Sequence, residues 1–254
     1  MGIDAAWTAH NPSGVALAVD DGEGWRLVAA SASYEAFHAL AGHAFAELSR
    51  GGMVPDAGAL LASARALCGG EVDLVAVDMP LGHSPIVGRR ASDNLVSRVY
   101  GGRKAGVHSP SAERPGALSD GLRAGFAALG YGLCTTELRT PGVIEVYPHP
   151  ALIELTGLPL RLPYKAGKTL TYWPGLDRAT RVSRLLDTWG MIVGYLEAAL
   201  PGAGAALVVP TRPTKAFEDR LDAVVCALVA ARALDGRVRA LGDTDSAVWV
   251  PLAG

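Results

Sequence analysis

Several acidic residues lie within apolar stretches of the sequence, where a charged carboxylate is costly to bury. Asp4 follows the apolar start of the chain, Asp78 ends the run LVAV, and Glu145 lies inside VIEVY. Asp222 lies among the apolar residues of DRLDAVVCAL, and Asp219 precedes it by three positions, which places both on one face of a helix. A buried carboxylate needs a hydrogen bond, a cation or a metal to offset its lost hydration.

Carboxylates that converge on one point repel each other, and a divalent cation relieves that repulsion. Oxygen ligands suit Mg²⁺ or Mn²⁺, and two such ions clamp the attacking water and the leaving oxygen of a phosphodiester. We therefore expect a magnesium or manganese site formed by Asp4, Asp78 and Asp222 or Asp219, with Glu145 assisting. The chemistry predicted is hydrolysis of a phosphodiester by a metal-bound water.

A simpler structural role is open for each acid taken alone. Both helix acids are favoured by the positive end of a helix dipole. Glu145 is compatible with an exposed edge strand, Asp78 with a cap on the turn at Pro80, and Asp4 with a hydrogen bond to the HNPSG loop. These roles explain the acids singly, whereas a shared cation explains all of them together.

His149, in YPHP, lies four residues after Glu145. We expect it to order the attacking water or to contact the leaving group, and the alternative is a turn residue held between two prolines. His83 and His108 also lie in loops, and no nucleophilic-serine motif of the GxSxG type or Walker-type phosphate loop is present.

Two basic segments are candidates for contact with a nucleic-acid backbone. The first, RRASDNLVSRVYGGRK, has five cations and one acid, and the cations are Arg89, Arg90, Arg98, Arg103 and Lys104. The second has Lys165 and Lys168, followed by three arginines and accompanied by aromatic residues that could stack on bases: Arg178, Arg181, Arg184, Tyr164, Tyr172 and Trp173. The alternatives are a solvated helix face for the first segment and an ordinary mobile loop for the second.

Residue patterning predicts the elements that position these side chains. Apolar runs separated by short turns predict a three-strand antiparallel meander, and later runs predict further strands and helices. The predicted strands are 2–8, 15–21, 25–33, 72–80, 141–150, 206–210 and a terminal edge strand at 246–252. The predicted helices are 36–48, 56–68, 91–100, 119–130, 177–199 and 217–234. This order predicts a mixed α/β domain of helices flanking a sheet.

Composition limits the class of protein. The chain has 254 residues, half of them hydrophobic, and a formal charge of −2, which argues against a generic polyanion-coating protein. We expect a single domain over 1–254 with an irregular, partly helical insertion at about 83–140. Three widely spaced cysteines predict a reducing, cytoplasmic compartment, and we expect neither a membrane span nor a signal peptide.

The segments GID, VAVDMPLG, IEVYPHPA and DRLDAVVCAL, spread over about residues 2–235, resemble the family called domain of unknown function 429. The resemblance implies a ribonuclease H-like fold and a metal-dependent nuclease. It implies that Asp4 is the central ligand, that Asp78 lies beside it, and that Asp222 with Asp219 closes the site near Glu145. The DxxDA pattern is also similar to the last helix of Holliday-junction resolvases of that fold.

Two further functions stay open from the sequence. One is a non-catalytic module of the same fold that binds nucleic acid or protein, and the other is a phosphoryl-transfer protein of the actin or sugar-kinase type. The nature of the nucleic acid is open, and a dimer is one alternative for the oligomeric state.

Overall fold

The computed structural model describes residues 1–42 and 54–253. The chain begins with the predicted meander, formed by β1 (Gly2–Asp4), β2 (Gly14–Asp20) and β3 (Trp25–Ser31). Both pairings in the meander are antiparallel, and the HNPSG and DGEG segments provide the reversals between the strands. The meander is therefore confirmed, although β1 ends at Asp4, earlier than the predicted boundary.

The remaining strands extend the sheet on the other side of β1. They are β4 (Leu74–Val77), β5 (Gly132–Leu133), β6 (Gly142–Val146), β7 (Val238–Gly242) and β8 (Ala247–Pro251). The order across the sheet is β3-β2-β1-β4-β6-β8-β7, and β5 pairs with the first part of β6. Pairings among β1, β4, β6 and β8 are parallel, whereas β7 runs antiparallel to β8. The central strands β4 and β6 are buried on both faces, as expected for the continuous apolar run LVAV. The burial of β6 rules out the exposed edge strand that was an alternative for Glu145.

Helices cover both faces of this sheet. They are α1 (Tyr34–Leu40), α2 (Ala57–Cys68), α3 (Ala91–Tyr100), α4 (Ala117–Ala128), α5 (Pro148–Thr156), α6 (Thr169–Tyr172), α7 (Arg178–Ala199), α8 (Ala203–Ala206) and α9 (Lys215–Leu234). Helix α9 lies directly on the sheet, with α5 and α7 in the same hydrophobic core. The opposite face packs against α1, α2 and α4. This mixed sheet between helical layers is consistent with a ribonuclease H-like fold.

Three predicted elements need correction. Residues 207–210 are not a strand, because the chain there follows the short helix α8 without pairing to the sheet. The terminal strand β8 is internal, since the unpredicted β7 forms the edge beside it. The predicted strand 141–150 ends at Val146, and its PHP segment begins α5, where proline suits the first helical turn.

Other predicted helices agree with the structure to within a few residues. The predicted helix 36–48 begins earlier, at Tyr34, and its part at 43–48 lies outside the described residues. Within 1–42 and 54–253, no helix combines the length and apolar character needed to cross a membrane.

Candidate functional site

Asp4 and Asp78 lie side by side at the carboxyl ends of neighbouring strands. Strands β1 and β4 run parallel with Ile3 opposite Val77, and each aspartate follows directly after that pair. The backbone N–H of Asp78 donates to the carbonyl of Ile3 over 2.8 Å, which continues the ladder to the acids. The two acids are thus neighbours in the sheet, as the resemblance implied, and their role as metal ligands stays a prediction.

Helix α9 brings Asp219 and Asp222 to the same place. Thr214 caps the helix by accepting a hydrogen bond from the N–H of Phe217, so the helix begins one turn before the acids. Two glycines allow α9 to lie against the strands, since a Cβ on Gly2 would come within 2.2 Å of the backbone nitrogen of Ala227. A Cβ on Gly14 would lie 2.1 Å from the carbonyl oxygen of Asp219.

The carboxyl groups affect one another's ionisation. Burial raises the pKa of Asp4 well above its usual value, and the charges of Asp222 and Asp78 raise it further. Burial, followed by the charge of Asp222, raises the pKa of Asp78 to about 8. The pKa of Asp219 is also raised by burial, although hydrogen bonding from Lys215 opposes that shift. These acids form one electrostatic group, which we call the acid cluster: Asp4, Asp78, Asp219 and Asp222.

Two lysines partly neutralise the acid cluster. Lys165 donates to Asp222 and lies 3.4 Å from Glu218, and the hydroxyl of Tyr164 donates to the other oxygen of Asp222 over 2.7 Å. Lys215 donates to Asp219 and lies 3.2 Å from Glu218. Two ammonium groups therefore face five carboxyl groups, and three of these, Asp4, Asp78 and Asp219, have a pKa raised by burial.

Glu145 belongs to a different ionic network. It lies opposite Val77 in the parallel pairing, and Val77 packs in the core on the α2 face, away from α9. Both oxygens of Glu145 accept from Arg90, at 2.5 and 2.8 Å, and one also accepts from the N–H of Leu81 over 2.7 Å. Arg90 also binds Asp93 over 2.7 Å. The structure thus places Glu145 on the face of the sheet away from α9. It still lines a small cavity together with Asp78, and its charge helps to raise the pKa of Asp78.

Two cavities of several hundred cubic ångströms meet at the acid cluster, beside a smaller one of about 60 Å³ that Asp78 also lines. One, of about 310 Å³, is lined by acids of the cluster together with Trp7, Arg114 and Lys215. The other, of about 450 Å³, shares Trp7, Asp78 and Lys215 with the first. Its other walls are mainly aromatic and basic: His108, Tyr147, Pro148, His149, Arg161, Tyr164, Lys165, Gly167, Lys168 and Glu218. We call this second cavity the aromatic cleft.

His149 lines the aromatic cleft from the first turn of α5. Its ring is buried and lies edge-on to Tyr147 and Tyr164, with ring centroids 5.2 and 5.1 Å apart. Burial, and then the positive charge of Arg161, lowers the pKa of His149 well below its usual range, so the imidazole is neutral at pH 7. The alternative of a turn residue is wrong, because His149 is helical. Its role toward the attacking water or the leaving group stays a prediction.

Of the two basic segments, the second contributes to the walls of these two larger cavities. Lys165 and Lys168 line the aromatic cleft, but Arg178, Arg181 and Arg184 lie along α7 outside its walls. In the first segment, Arg90 is almost enclosed by its carboxylate partners, with 7% of its side chain exposed. The other cations do not line the cavities: Arg89 binds Asn94, Ser97 and Ser109, Arg103 binds Glu154, and Arg98 and Lys104 are exposed.

Sequence reasoning did not identify Trp7, Arg114, Arg161 or Lys215 as parts of the site. Lys215 could have been predicted from the sequence, because a lysine four residues before Asp219 lies on the same helix face. Trp7, Arg114 and Arg161 lie in segments without regular periodicity, so only the folded chain shows their approach to the acid cluster.

The fit of the acid cluster to a cation depends on its chemistry. Within the described ranges, no set of three or more His, Cys, Asp or Glu side chains is arranged as a ready metal site. The available donors are nevertheless all carboxylate oxygens, the set preferred by Mg²⁺ and Mn²⁺. In addition, the Oδ2 atom of Asp219 is buried without a hydrogen-bond partner. A divalent cation is therefore chemically matched to the cluster.

Comparison with known proteins returns one family. The family model described as "Protein of unknown function (DUF429)" matches residues 2–247, nearly the whole chain. No curated protein and no solved structure matches this sequence.

Proposed function

We propose that this chain, which belongs to the DUF429 family, is a metal-dependent phosphodiesterase that hydrolyses nucleic acid. The observation that supports this most is the junction of the acid cluster with two cavities whose walls carry cations. A phosphodiester needs both features, because its charge is attracted by cations and its cleavage requires stabilisation of the developing negative charge.

The residues of the chain divide into two roles. Asp4, Asp78, Asp219 and Asp222 would hold Mg²⁺ or Mn²⁺, which when bound supplies Lewis acidity and a more acidic water. Lys215 and Arg114, on the wall of the smaller cavity, are positioned to bind the phosphate oxygens. Trp7 lines both cavities and is placed to limit the access of bulk water to the phosphate.

Glu145 has a positioning role in this proposal. Its carboxylate joins Arg90 to the N–H of Leu81, and Leu81 follows Asp78 by three residues in the DMPLG segment. The same arginine donates to the carbonyl of Leu81 over 2.7 Å. This network fixes the path of the chain after β4 and hence the position of Asp78.

A non-catalytic binding module is the second candidate. The contacts of Lys165 with Asp222 and of Lys215 with Asp219 favour it, because they provide an internal countercharge for the acids. Under either candidate we propose nucleic acid as the partner and the cytoplasm as the compartment. The cytoplasmic assignment follows from cysteine usage, since Cys68, Cys134 and Cys226 are free thiols.

A cleavage assay tests the enzymatic proposal. Labelled single-stranded and duplex RNA and DNA, a hybrid and a four-way junction are incubated with Mg²⁺, with Mn²⁺ or with EDTA. We expect cleavage of at least one substrate that requires the metal and falls at least about tenfold in Asp4→Asn, a loss of about 1.4 kcal/mol of transition-state stabilisation.

The matched control is Asp187→Asn, which removes an exposed carboxylate on α7. This variant should cleave as the wild type does. Equal rates in the two variants, or cleavage that continues in EDTA, would contradict the proposal. Salt-dependent binding of nucleic acid without any cleavage would favour the binding module.

A further inference from the structure

The aromatic cleft has unpaired cations as well as aromatic walls. Arg161 and Lys168 form no ion pair with a carboxylate anywhere in the described residues. Arg161 is half-buried, its Nε atom lacks a hydrogen-bond partner, and one terminal nitrogen makes only a 3.4 Å contact with the hydroxyl of Tyr172. A half-buried guanidinium without an anion is a natural partner for a phosphate.

His149 provides an independent indication of a ligand. It is 4% exposed, it lines the cleft, and its Nδ1 atom has no hydrogen-bond partner. Buried polar side-chain atoms are nearly always hydrogen-bonded, so an orphan at the wall of a cavity calls for an explanation such as a bound water or ligand. A neutral imidazole can both donate and accept a hydrogen bond, as the edge of a nucleobase requires.

The remaining walls match a flat, uncharged ring. Trp7 and Tyr147 are half-buried and line the cleft, so part of each aromatic surface faces the cavity. Aromatic side chains bind single nucleobases by stacking, largely regardless of base identity. The cavity of about 450 Å³ lies within the range of small-ligand sites, roughly 300–1,000 Å³.

We propose that the aromatic cleft binds one nucleotide, with its phosphate on Arg161 and Lys168 and its base against Trp7 and Tyr147. His149 then hydrogen-bonds to the base edge. The idea that this nucleotide is part of a nucleic-acid strand rests on the proposed function, because Asp78 joins the cleft to the acid cluster. The cleft would thus hold the nucleotide next to the phosphate that is cleaved.

Calorimetry of the full chain in EDTA tests this site without metal or catalysis. The ligands are the four ribonucleoside 5′-monophosphates, inorganic phosphate and the corresponding nucleosides. We expect at least one monophosphate to bind at least about tenfold more tightly than phosphate or its nucleoside, because both halves of the molecule are contacted. If inorganic phosphate binds as tightly as the monophosphates do, the cleft is only an anion site and the proposal is overturned.

Variants locate the binding. Arg161→Gln should weaken the monophosphate at least about tenfold, whereas Arg237→Gln, which changes an exposed arginine after α9 outside the cleft, should leave it unchanged. His149→Phe keeps a ring and removes the nitrogens, and it should weaken the monophosphate more than inorganic phosphate. If circular dichroism shows that His149→Phe does not fold, the two arginine variants still decide the result. Equal affinity of those two variants for the monophosphate contradicts the proposal.

The two proposals fail separately. Metal-dependent cleavage without binding of any monophosphate would overturn the nucleotide site and leave the phosphodiesterase intact. Monophosphate binding that depends on Arg161, together with no cleavage of any substrate, would support the cleft and contradict the catalytic role of the acid cluster.

Discussion

The Asp78 carboxyl group lies at the end of a fully buried strand, and its surroundings disfavour its charged form. Burial is the main cause, and the negative charge of Asp222 adds to it. Lys165 and Lys215 oppose the shift without cancelling it. The acid cluster is therefore strained electrostatically at neutral pH in a way that a divalent cation would relieve.

This strain predicts how stability depends on pH in the absence of divalent metal. The pKa of Asp78 is raised from 3.8 to about 8, so the folded state holds the proton more tightly than the unfolded state. The favourable contribution is complete below about pH 4 and is lost as the pH rises toward about 8. In Asp78→Asn, the decrease in unfolding free energy between those values should shrink by more than about 1.4 kcal/mol, the equivalent of one pKa unit.

Urea denaturation in EDTA at pH 4 to 8 measures this difference. Asp187→Asn, at an exposed position on α7, serves as the control and should keep the wild-type pH dependence. Identical pH profiles for Asp78→Asn and the wild type would show that Asp78 ionises without cost in the folded protein.

At the residue scale, the sequence identified the acids of the cluster because carboxylates in apolar runs are conspicuous. It could not separate Glu145 from them, since a strand pattern does not reveal which face of a central parallel strand meets which helix. The sequence also did not reveal that Arg90 pairs with Glu145. Arg90 is one of five cations in a basic segment, but its side chain is buried against Glu145.

At the scale of elements, the site depends on the close approach of α9 to the meander. Gly2 and Gly14 leave no side chain between strand and helix, and this brings Asp219 and Asp222 to the ends of β1 and β4. Because the apolar pattern of 217–234 is so long, the helix itself was readily predicted. The distance between α9 and the sheet could not be predicted, because it depends on two individual glycines.

Gly14→Ala tests this approach. The added Cβ would lie 2.1 Å from the carbonyl oxygen of Asp219, so α9 or β2 must move. Overpacking of this kind costs roughly 1–3 kcal/mol, and we expect a loss of unfolding free energy in that range by urea denaturation. The control is Gly190→Ala in α7, where an added Cβ meets nothing within 4 Å and alanine favours the helix by up to about 1 kcal/mol.

A Gly14→Ala variant as stable as Gly190→Ala would show that α9 is not held by this contact.

Two errors of prediction at the scale of elements share a physical cause. The segment 147–150 was predicted as the end of a strand, but Pro148 begins α5, and ALVVP was predicted as a strand but follows α8 outside the sheet. Local composition did not distinguish a helix start from the end of a strand, or coil from a strand.

At the scale of the whole molecule, the charge is distributed unevenly around the carboxyl ends of the central strands. The chain has a formal charge of −2, yet acids converge on one point and cations line the cavities beside it. The meander, the central strands, the long helices and the family were predictable from sequence, since they depend on apolar patterning and on motifs such as DMPLG and EVYPHP. The aromatic cleft was not, because its walls come from segments far apart in the chain.

The most direct test of the central claim is the melting temperature of the protein during titration with Mn²⁺. It is measured for the wild type, for the double variant Asp4→Asn with Asp78→Asn, and for the Asp187→Asn control. A ligand that binds only the folded state stabilises it by about 2.7 kcal/mol at one hundred times its dissociation constant. We predict that Mn²⁺ raises the melting temperature of the wild type and the control, and that the double variant shows no rise. A wild type that does not respond, together with a double variant markedly more stable than it, would contradict the claim, because the acids would then be a repelling cluster that holds no cation.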